Sequence, residues 1–462
     1  MKMKPEVKRI ARKVNGKLTT VFDPEHLEVL ARQNEFIQRS SSQLRGRDFV
    51  ELMTTELIED PAISFAGLCA ILGELNPQAQ MTPQALHQRL NPYAVSYVQD
   101  VFALALRQQL EPVCERLRLG TLAPFARVLR EDSTQCRLHE KLAEDFQGSG
   151  GSASTAALKL DVIYEVMHHS LLEVHLSDGK AADQGRALAI VPHLRPGDLV
   201  LRDLGYLSLE SLRQIETHGA WYLSRLSKGV EVYLEAHAQA EALDLVAYLQ
   251  QNYPDDDVID RAVYLGQERV SCRLVAYRLP EQVVAERRRK ALAEARKKGR
   301  TLTQDYRNWL SYGLYITNVV QGVLSAKVVK IVYGLRWPVE LMFKNWKSLL
   351  NIHVLKGTRP ERIKCLLYGR LMTITMLTLI ASSASWYAED YLQRALSIPK
   401  LINWLKRKGR LAKAIHVGTL EALFNDLRRS LPKVLCKQKR KRRTSRQLLE
   451  DYGYYLEDAL AA

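Results

Sequence analysis

The chain has 462 residues, 47% of them hydrophobic and 26% charged, a balance typical of globular proteins and too apolar for a disordered chain. Sixty-seven Lys and Arg residues against 51 Asp and Glu residues give a net charge of +16, which favours a polyanionic partner such as nucleic acid or an anionic membrane. The six cysteines are scattered and form no Cys-x-x-Cys pair, so neither a structural zinc site nor a disulfide framework is expected.

Residues 24–119 show apolar positions three and four apart, which predicts helices throughout. Within this region, residues 65–72 and 81–90 read as two helices joined by a turn, the second with Thr82 as N-cap and Pro83 at its first position. In DNA-binding helix-turn-helix proteins the second helix of such a pair lies in the major groove, but most helix pairs do not bind DNA. The polar side chains offered by that helix are Gln84, His87, Gln88 and Arg89.

From residue 126 the pattern changes to short strands alternating with helices. Strands are predicted over residues 126–132, 157–166, 171–176, 198–202 and 221–226, and helices over residues 183–190 and 208–218. Three strands, helix, strand, helix, strand is the element order of a ribonuclease-H-like α/β fold. In that order Asp132 closes the first strand and Asp203 the fourth, so two acids would meet at one edge of the sheet. Glu131 rivals Asp132, but strand neighbours face opposite sides, so only one of the two can face that edge.

A long stretch separates residue 226 from the aromatic segment near residue 333. It contains predicted strands over residues 261–265 and 271–279, which indicates an inserted, strand-bearing subdomain at about residues 229–321. A basic helix is predicted over residues 280–299. Its cations form either a solvated face or a phosphate-binding face, and the sequence leaves both open.

The C-terminal part is helical and increasingly basic. Residues 371–388 carry no charge and are about long enough to cross a bilayer, yet they contain six Ser and Thr residues, so a buried helix is expected there. Residues 437–446 contain seven cations, typical of a flexible nucleic-acid-binding segment or of a solubilising tail.

One acid near the centre of the C-terminal half stands among basic and aromatic residues at helical spacing: Tyr333, Arg336, Glu340 and Lys347. The last three of these can share one face of a helix, with Val339, Phe343 and Trp346 on the opposite, buried face. Because proline has no N–H and suits a first turn, Pro338 predicts that the regular helix starts near Trp337. From spacing alone, an amphipathic surface helix with scattered charges remains an alternative.

These intervals, Tyr-x2-Arg-x3-Glu-x6-Lys, resemble the signature of the DDE transposases of bacterial insertion sequence family four. By that resemblance Glu340 is the third catalytic acid, and Tyr333, Arg336 and Lys347 contact DNA. Asp132-Ser-Thr and Asp203-Leu-Gly-Tyr resemble the motifs of the first and second acids. Further DNA contacts are expected from Arg89 and from Arg225, the latter facing either DNA or an acid.

The resemblance implies a cut-and-paste transposase that binds element ends, cleaves a strand to expose a 3′-hydroxyl and joins it to target DNA. Asp132, Asp203 and Glu340 would hold two Mg²⁺ ions, with Mn²⁺ as a substitute, because Mg²⁺ prefers oxygen ligands. The implied partner is double-stranded DNA, both terminal inverted repeats and target, bound by a homodimer in the bacterial cytoplasm at the nucleoid, with no membrane. Three rivals stay open: a ribonuclease-H-like nuclease without strand transfer, an inactive DNA-binding repressor derived from a transposase, and a membrane-associated basic protein, which rests on residues 371–388.

Five regions are expected. They are a helical DNA-binding region (1–120), the first part of the ribonuclease-H-like core (121–228), the insertion with its basic helix (229–321), the acid-bearing helix of the core (322–357) and a helical basic C-terminal region (358–462).

Overall fold

A computed structural model of the chain describes residues 5–56, 60, 63–109, 120–150, 154–411 and 420–437. The predicted basic segment 437–446 therefore lies outside the described residues, except for Lys437. The chain forms two compact units. The first takes its described residues from Met1–Arg116, Asp132–Ala181 and Pro338–Arg440, and the second takes them from Leu117–Glu131 and Ala182–Trp337.

The N-terminal region is helical, as its apolar spacing predicted. Its helices within the described residues are α1 (Pro5–Val21), α2 (Pro24–Gln33), α3 (Gly46–Glu51), α4 (Phe65–Leu75), α5 (Pro83–Arg89) and α6 (Pro92–Arg107). The predicted helix pair is confirmed as α4 and α5. The Thr82 hydroxyl accepts the N–H of Ala85 at 3.2 Å, which satisfies one of the unpaired donors at the start of α5.

The described strands follow one another in a mixed α/β arrangement. They are β1 (Val128–Arg137), β2 (Ala157–Glu165), β3 (Ser170–Asp178), β4 (Leu199–Arg202), β5 (Trp221–Arg225), β6 (Val232–Tyr233), β7 (Val258–Leu265), β8 (Val270–Arg278) and β9 (Tyr312–Thr317). Their order in the sheet is β3-β2-β1-β4-β5-β9-β8-β7-β6. Strand β4 runs parallel to β1 and to β5, whereas the pairs β2/β3, β5/β9, β9/β8, β8/β7 and β7/β6 are antiparallel.

The first strand is longer at its C-terminal end than predicted: β1 does not end at Asp132 but continues to Arg137. The polar run Glu131-Asp132-Ser133-Thr134 suggested a turn. The burial pattern shows instead a strand alternation, because Thr134 and Cys136 are buried while Gln135 and Arg137 are exposed. Asp132 therefore lies inside β1, five residues before its end.

The predicted helix over residues 183–190 is also wrong. The chain forms two 3₁₀ turns there, Asp183–Arg186 and Val191–His193. The intervening Ala187 carbonyl accepts a hydrogen bond from the Arg202 side chain at 2.5 Å. Gly185 further lowers the helix propensity of this segment.

The remaining helices within the described residues are α7 (Leu209–Thr217), α8 (Leu245–Asn252), α9 (Glu281–Lys297), α10 (Gln304–Trp309), α11 (Ala326–Tyr333), α12 (Trp337–Ser348), α13 (Pro360–Leu392), α14 (Ile398–Lys406) and α15 (Leu420–Ser430). Helix α12 starts at Trp337, as the position of Pro338 predicted. It is preceded by a 3₁₀ turn, Gly334–Arg336.

In the second unit, two arginines of the basic helix α9 donate hydrogen bonds to other parts of the protein. Arg287 donates from Nη1 to the carbonyls of Leu310 and Tyr312, at 3.0 and 2.7 Å. Arg288 donates to the Ser311 hydroxyl at 3.1 Å. These two cations anchor α9 to the segment that leads into β9, so the number of α9 cations offered to solvent is smaller than the sequence suggested.

In the first unit, α13 contains the charge-free run 371–388. Among the described helices it is long and apolar enough to cross a membrane by length and composition, and 94% of its apolar window is buried inside the protein. The expectation of a buried helix is confirmed. One turn of α13 approaches another backbone closely: a Cβ atom added at Gly369 would lie 2.1 Å from the Met53 carbonyl oxygen.

We expect Gly369→Ala to destabilise the protein by about 1–3 kcal/mol, because the added methyl group overpacks this contact. The matched control is Gly73→Ala in α4, where an added Cβ meets nothing within 4 Å. That variant should be neutral or stabilise by about 0.4–1 kcal/mol, because alanine reduces the entropy of the unfolded chain. Circular dichroism melts compare the two midpoints, and equal midpoints would contradict the close approach at Gly369.

Candidate active site

Asp203 is the first residue after β4, a strand whose four residues are all buried. Its backbone is extended, with φ −85° and ψ 162°, and its carbonyl accepts the N–H of Tyr206 at 3.1 Å across the 3₁₀ turn Leu204–Tyr206. The carboxylate makes no capping hydrogen bond to that turn, and the side chain is 35% exposed. As predicted, the fourth strand leads directly into an acid.

Arg336 pairs with this acid. Its Nη1 lies 3.3 Å from Asp203 Oδ2, and the Arg336 side chain is 24% exposed. An ion pair of this exposure contributes on the order of 0–1 kcal/mol.

Tyr333, the last residue of α11, is buried and packs its ring edge-on against Tyr315, with 5.2 Å between centroids. Its hydroxyl donates to the carbonyl of Arg202 at 3.2 Å. Burial raises the pKa of Tyr333 to about 12, and the Asp203 carboxylate adds to that rise, against the opposing charges of Arg225 and Arg336. The phenol thus stays neutral and remains a donor at physiological pH.

Arg225 ends β5 and is exposed. It lies close enough for its charge to lower the pKa of Tyr333 and of Tyr315 against the rise caused by burial. The second unit therefore brings together four residues predicted from the sequence, which we call the Asp203 cluster: Asp203, Arg225, Tyr333 and Arg336.

Next to this cluster in sequence is a buried ion pair that sequence reasoning missed. Arg202 Nη1 lies 3.1 Å from Glu131 Oε2, with side chains 0% and 5% exposed. Burial lowers the pKa of the Arg202 guanidinium, and the Glu131 carboxylate opposes that shift. The available signal was an arginine at the end of an otherwise apolar buried strand. Glu131, the rival of Asp132 in the sequence, is thus engaged with Arg202.

Asp132 and Glu340 belong to the first unit. Asp132 is half-buried in β1, and its Oδ1 accepts the N–H of Ser133 at 2.8 Å. Glu340 is half-buried in the first turn of α12. The predicted apolar face of that helix is confirmed, because Val339, Phe343 and Trp346 are all buried.

Lys347 lies near the end of α12, half-buried. Burial raises the pKa of the Cys136 thiol on β1 to about 11, and the charges of Lys347 and Arg370 oppose that rise. This places Lys347 near the part of β1 that belongs to the same unit.

Arg89, predicted to contact DNA, is half-exposed at the end of α5 and donates from Nη1 to the carbonyl of Phe36 at 3.2 Å. In the same helix, His87 packs edge-on against Phe65 of α4, with ring centroids 5.3 Å apart. Two of the polar side chains that sequence reasoning offered to DNA thus have contacts within the protein, whereas Gln84 and Gln88 are exposed.

The three predicted acids are oxygen donors, which Mg²⁺ prefers, and in kind they suit a divalent ion. Across the described residues, however, no group of three His, Cys, Asp and Glu side chains is arranged so that it could hold a metal ion. The donor chemistry of the three acids thus fits the ion.

The chain is similar in sequence to known transposases. The family model for the transposase DDE domain matches residues 124–376, more than half of the chain. The transposase of insertion sequence element IS231D from Bacillus thuringiensis subsp. finitimus is 30% identical over 367 residues, which cover 76% of this chain and 76% of that protein. The transposase of IS1151 from Clostridium perfringens is 27% identical over 373 residues, 78% of each chain.

Among solved structures, a chain of the piggyBac transposase in a cryo-EM synaptic complex with hairpin DNA aligns with 93% of this chain and 87% of its own length, at 11% identity and a TM-score of 0.46. The extent of the family match and the 30% identity to the IS231D transposase show that the chain belongs to the DDE transposases of insertion sequences.

Proposed function

We propose that this enzyme moves its insertion sequence by cut and paste. It binds the terminal inverted repeats, hydrolyses a DNA strand to expose a 3′-hydroxyl and joins that end to target DNA. The observation that carries the proposal is the Asp203 cluster, in which the Tyr and Arg of the Tyr-x2-Arg-x3-Glu-x6-Lys signature meet the acid that follows β4. A carboxylate flanked by cations suits a phosphodiester substrate, because the cations offset phosphate charge.

The catalytic core is a ribonuclease-H-like fold in this proposal. The strand order β3-β2-β1-β4-β5, with β4 parallel to β1 and to β5, supports it. The proposed domain division is a DNA-binding region at 1–120, a core at 121–228 and 322–357 that is interrupted by an insertion at 229–321, and a basic C-terminal region at 358–462.

Asp132, Asp203 and Glu340 are the proposed catalytic acids and ligands of two divalent ions, Mg²⁺ or its substitute Mn²⁺. Ions bound there would supply activation of the attacking oxygen and neutralisation of charge at phosphorus. The carboxylates would hold and orient the ions, and both Asp132 and Glu340 are half-buried.

The neighbouring cations would hold DNA. Arg336 and Arg225 offer charge beside Asp203, and Lys347 offers charge near the end of α12. Arg89 is proposed to reach DNA from the N-terminal region. Tyr333 joins this set by family resemblance, and its hydroxyl bond to the Arg202 carbonyl gives it a second task in shaping the site.

The proposed complex contains two copies of the chain on DNA, located in the cytoplasm at the nucleoid. A nuclease without strand transfer and an inactive DNA-binding repressor are the competing functions. The first would cut but not join, and the second would bind but not cut.

Glu340→Gln should still bind end DNA yet lose nearly all Mg²⁺-dependent nicking, because the amide keeps the shape of the side chain and removes its charge. We expect a loss of at least about 100-fold, the scale of an essential catalytic group. The matched control is Glu281→Gln, an exposed acid in the first turn of α9. Gel assays of nicking and fluorescence anisotropy of DNA binding make the measurement. Nicking by Glu340→Gln at the control's rate would remove Glu340 from the active site.

Precut end DNA with a free 3′-hydroxyl should be joined to a supercoiled plasmid when Mg²⁺ is present. Joining bypasses the cleavage step, so it tests strand transfer alone. Asp203→Asn should abolish joining, because the same acids are proposed to serve both steps. Cleavage by the wild-type protein without any joined product would favour the nuclease over the transposase. Specific DNA binding with neither reaction would favour the repressor.

A further inference from the structure

Two ion pairs connect β1 to β4 in the second unit, one at each end of the paired segment. Before the strands begin, Arg127 Nη2 lies 2.5 Å from Asp198 Oδ2, with side chains 16% and 0% exposed. Where β4 ends, Arg202 Nη1 lies 3.1 Å from Glu131 Oε2, with both side chains buried. Between them the strands pair in parallel register, from Val128 opposite Leu199 to Arg130 opposite Leu201.

The arginines of the two ion pairs also donate to different backbone carbonyls. Arg127 Nη2 also donates to the carbonyl of His193 at 2.7 Å, which lies in the loop before β4. Arg202 Nη1 donates to the carbonyl of Tyr206 at 2.7 Å, and its Nη2 donates to the carbonyl of Ala187 at 2.5 Å. The Arg202 guanidinium therefore closes a short loop around Asp203. The loop runs from Arg202, the residue before Asp203, to Tyr206, the last residue of the 3₁₀ turn that follows Asp203.

The backbone of Arg202 is held as well. Its carbonyl accepts the hydroxyl of Tyr333 at 3.2 Å, and this carbonyl belongs to the peptide unit that joins Arg202 to Asp203. Asp203 is thus restrained through a peptide unit on one side and through the Tyr206 carbonyl on the other. Its own carboxylate pairs with Arg336, whose side chain is 24% exposed.

Stability alone does not explain a buried arginine at this position. Two charges removed from water are often no more stabilising than an apolar pair of similar volume. The fork of a guanidinium, however, can pair with a carboxylate by charge and donate to two carbonyls at fixed angles, which an apolar pair cannot do. At this position the Arg202 guanidinium fixes the backbone from which the Asp203 carboxylate projects.

We propose that Arg202, anchored by Glu131, is a positioning residue that orients the Asp203 carboxylate for binding a divalent ion. The proposal rests on the proposed function, in which Asp203 is a metal ligand. A residue of this kind acts through another and touches neither ion nor DNA. Partners of metal ligands typically change metal affinity about 10–100-fold when they are altered.

The test compares Arg202→Lys with Arg127→Lys in the full-length protein. Each variant keeps a positive charge between the same two strands and removes the guanidinium fork, so each should lower the thermal unfolding midpoint. Only Arg202→Lys also removes the loop closure around Asp203. Asp203→Asn serves as the reference for a lost ligand.

Binding of Mn²⁺ is measured by electron paramagnetic resonance titration, without DNA and independently of catalysis. Arg202→Lys should bind Mn²⁺ about 10-fold or more weakly than wild type, and its Mg²⁺-dependent nicking should recover in part as the ion concentration rises. Arg127→Lys should match wild type in both measurements, within about 2-fold. Equal Mn²⁺ affinity in the two lysine variants would overturn the positioning role.

If Arg202→Lys does not fold, the double variant Glu131→Leu with Arg202→Met replaces the ion pair by an apolar pair, which the fold is expected to tolerate. Wild-type Mn²⁺ affinity in that variant would also overturn the proposal. A different result would show that the proposed function itself is wrong: Asp203→Asn would then bind Mn²⁺ and nick end DNA as wild type does.

Discussion

Successive residues of a β-strand face opposite sides of the sheet, and this alternation organises the chemistry of the protein. At Glu131 and Asp132 it separates two adjacent acids: Glu131 is buried and pairs with Arg202, while Asp132 is half-buried and makes a local hydrogen bond. At Arg202 and Asp203 it separates a buried cation from a partly exposed acid. Each buried partner is thus the chain neighbour of a proposed catalytic acid.

The positive charge of the chain is not all available to DNA. Several arginines donate to backbone carbonyls inside the protein, because one guanidinium carries five donors in a fixed fork. Within the described residues these arginines include Arg89, Arg127, Arg202, Arg273, Arg287 and Arg370. A net charge of +16 therefore overstates the cationic surface, and location decides which cations can meet phosphate.

A column of tyrosines extends this organisation beyond the strands. Tyr277 of β8, Tyr315 of β9 and Tyr333 of α11 pack edge-on in succession, with centroids 5.6 and 5.2 Å apart. Such contacts dock α11 on β8 and β9, so that these two strands help to place the hydroxyl of Tyr333 on the Arg202 carbonyl. Strands β8 and β9 therefore support the Asp203 cluster.

Much of the local structure follows from the sequence, because it depends on short-range chemistry. The start of α12 at Trp337, the Thr82 cap and the buried face of Val339, Phe343 and Trp346 are consequences of proline geometry, capping and helical period. The four-residue signature and the acid after β4 were likewise readable, since both depend on spacing along the chain.

Other features depend on groups that are distant in sequence. Only tertiary structure brings Glu131 to Arg202, the Tyr333 hydroxyl to the Arg202 carbonyl and Arg336 to Asp203. The helix predicted over residues 183–190 does not form for the same reason, because the Ala187 carbonyl accepts a hydrogen bond from the Arg202 side chain of β4. Residue identity and spacing are local, so they were enough to single out the candidate residues for the chemistry. The fold decided which of them are buried and paired, because burial and pairing depend on partners that the local sequence does not contain.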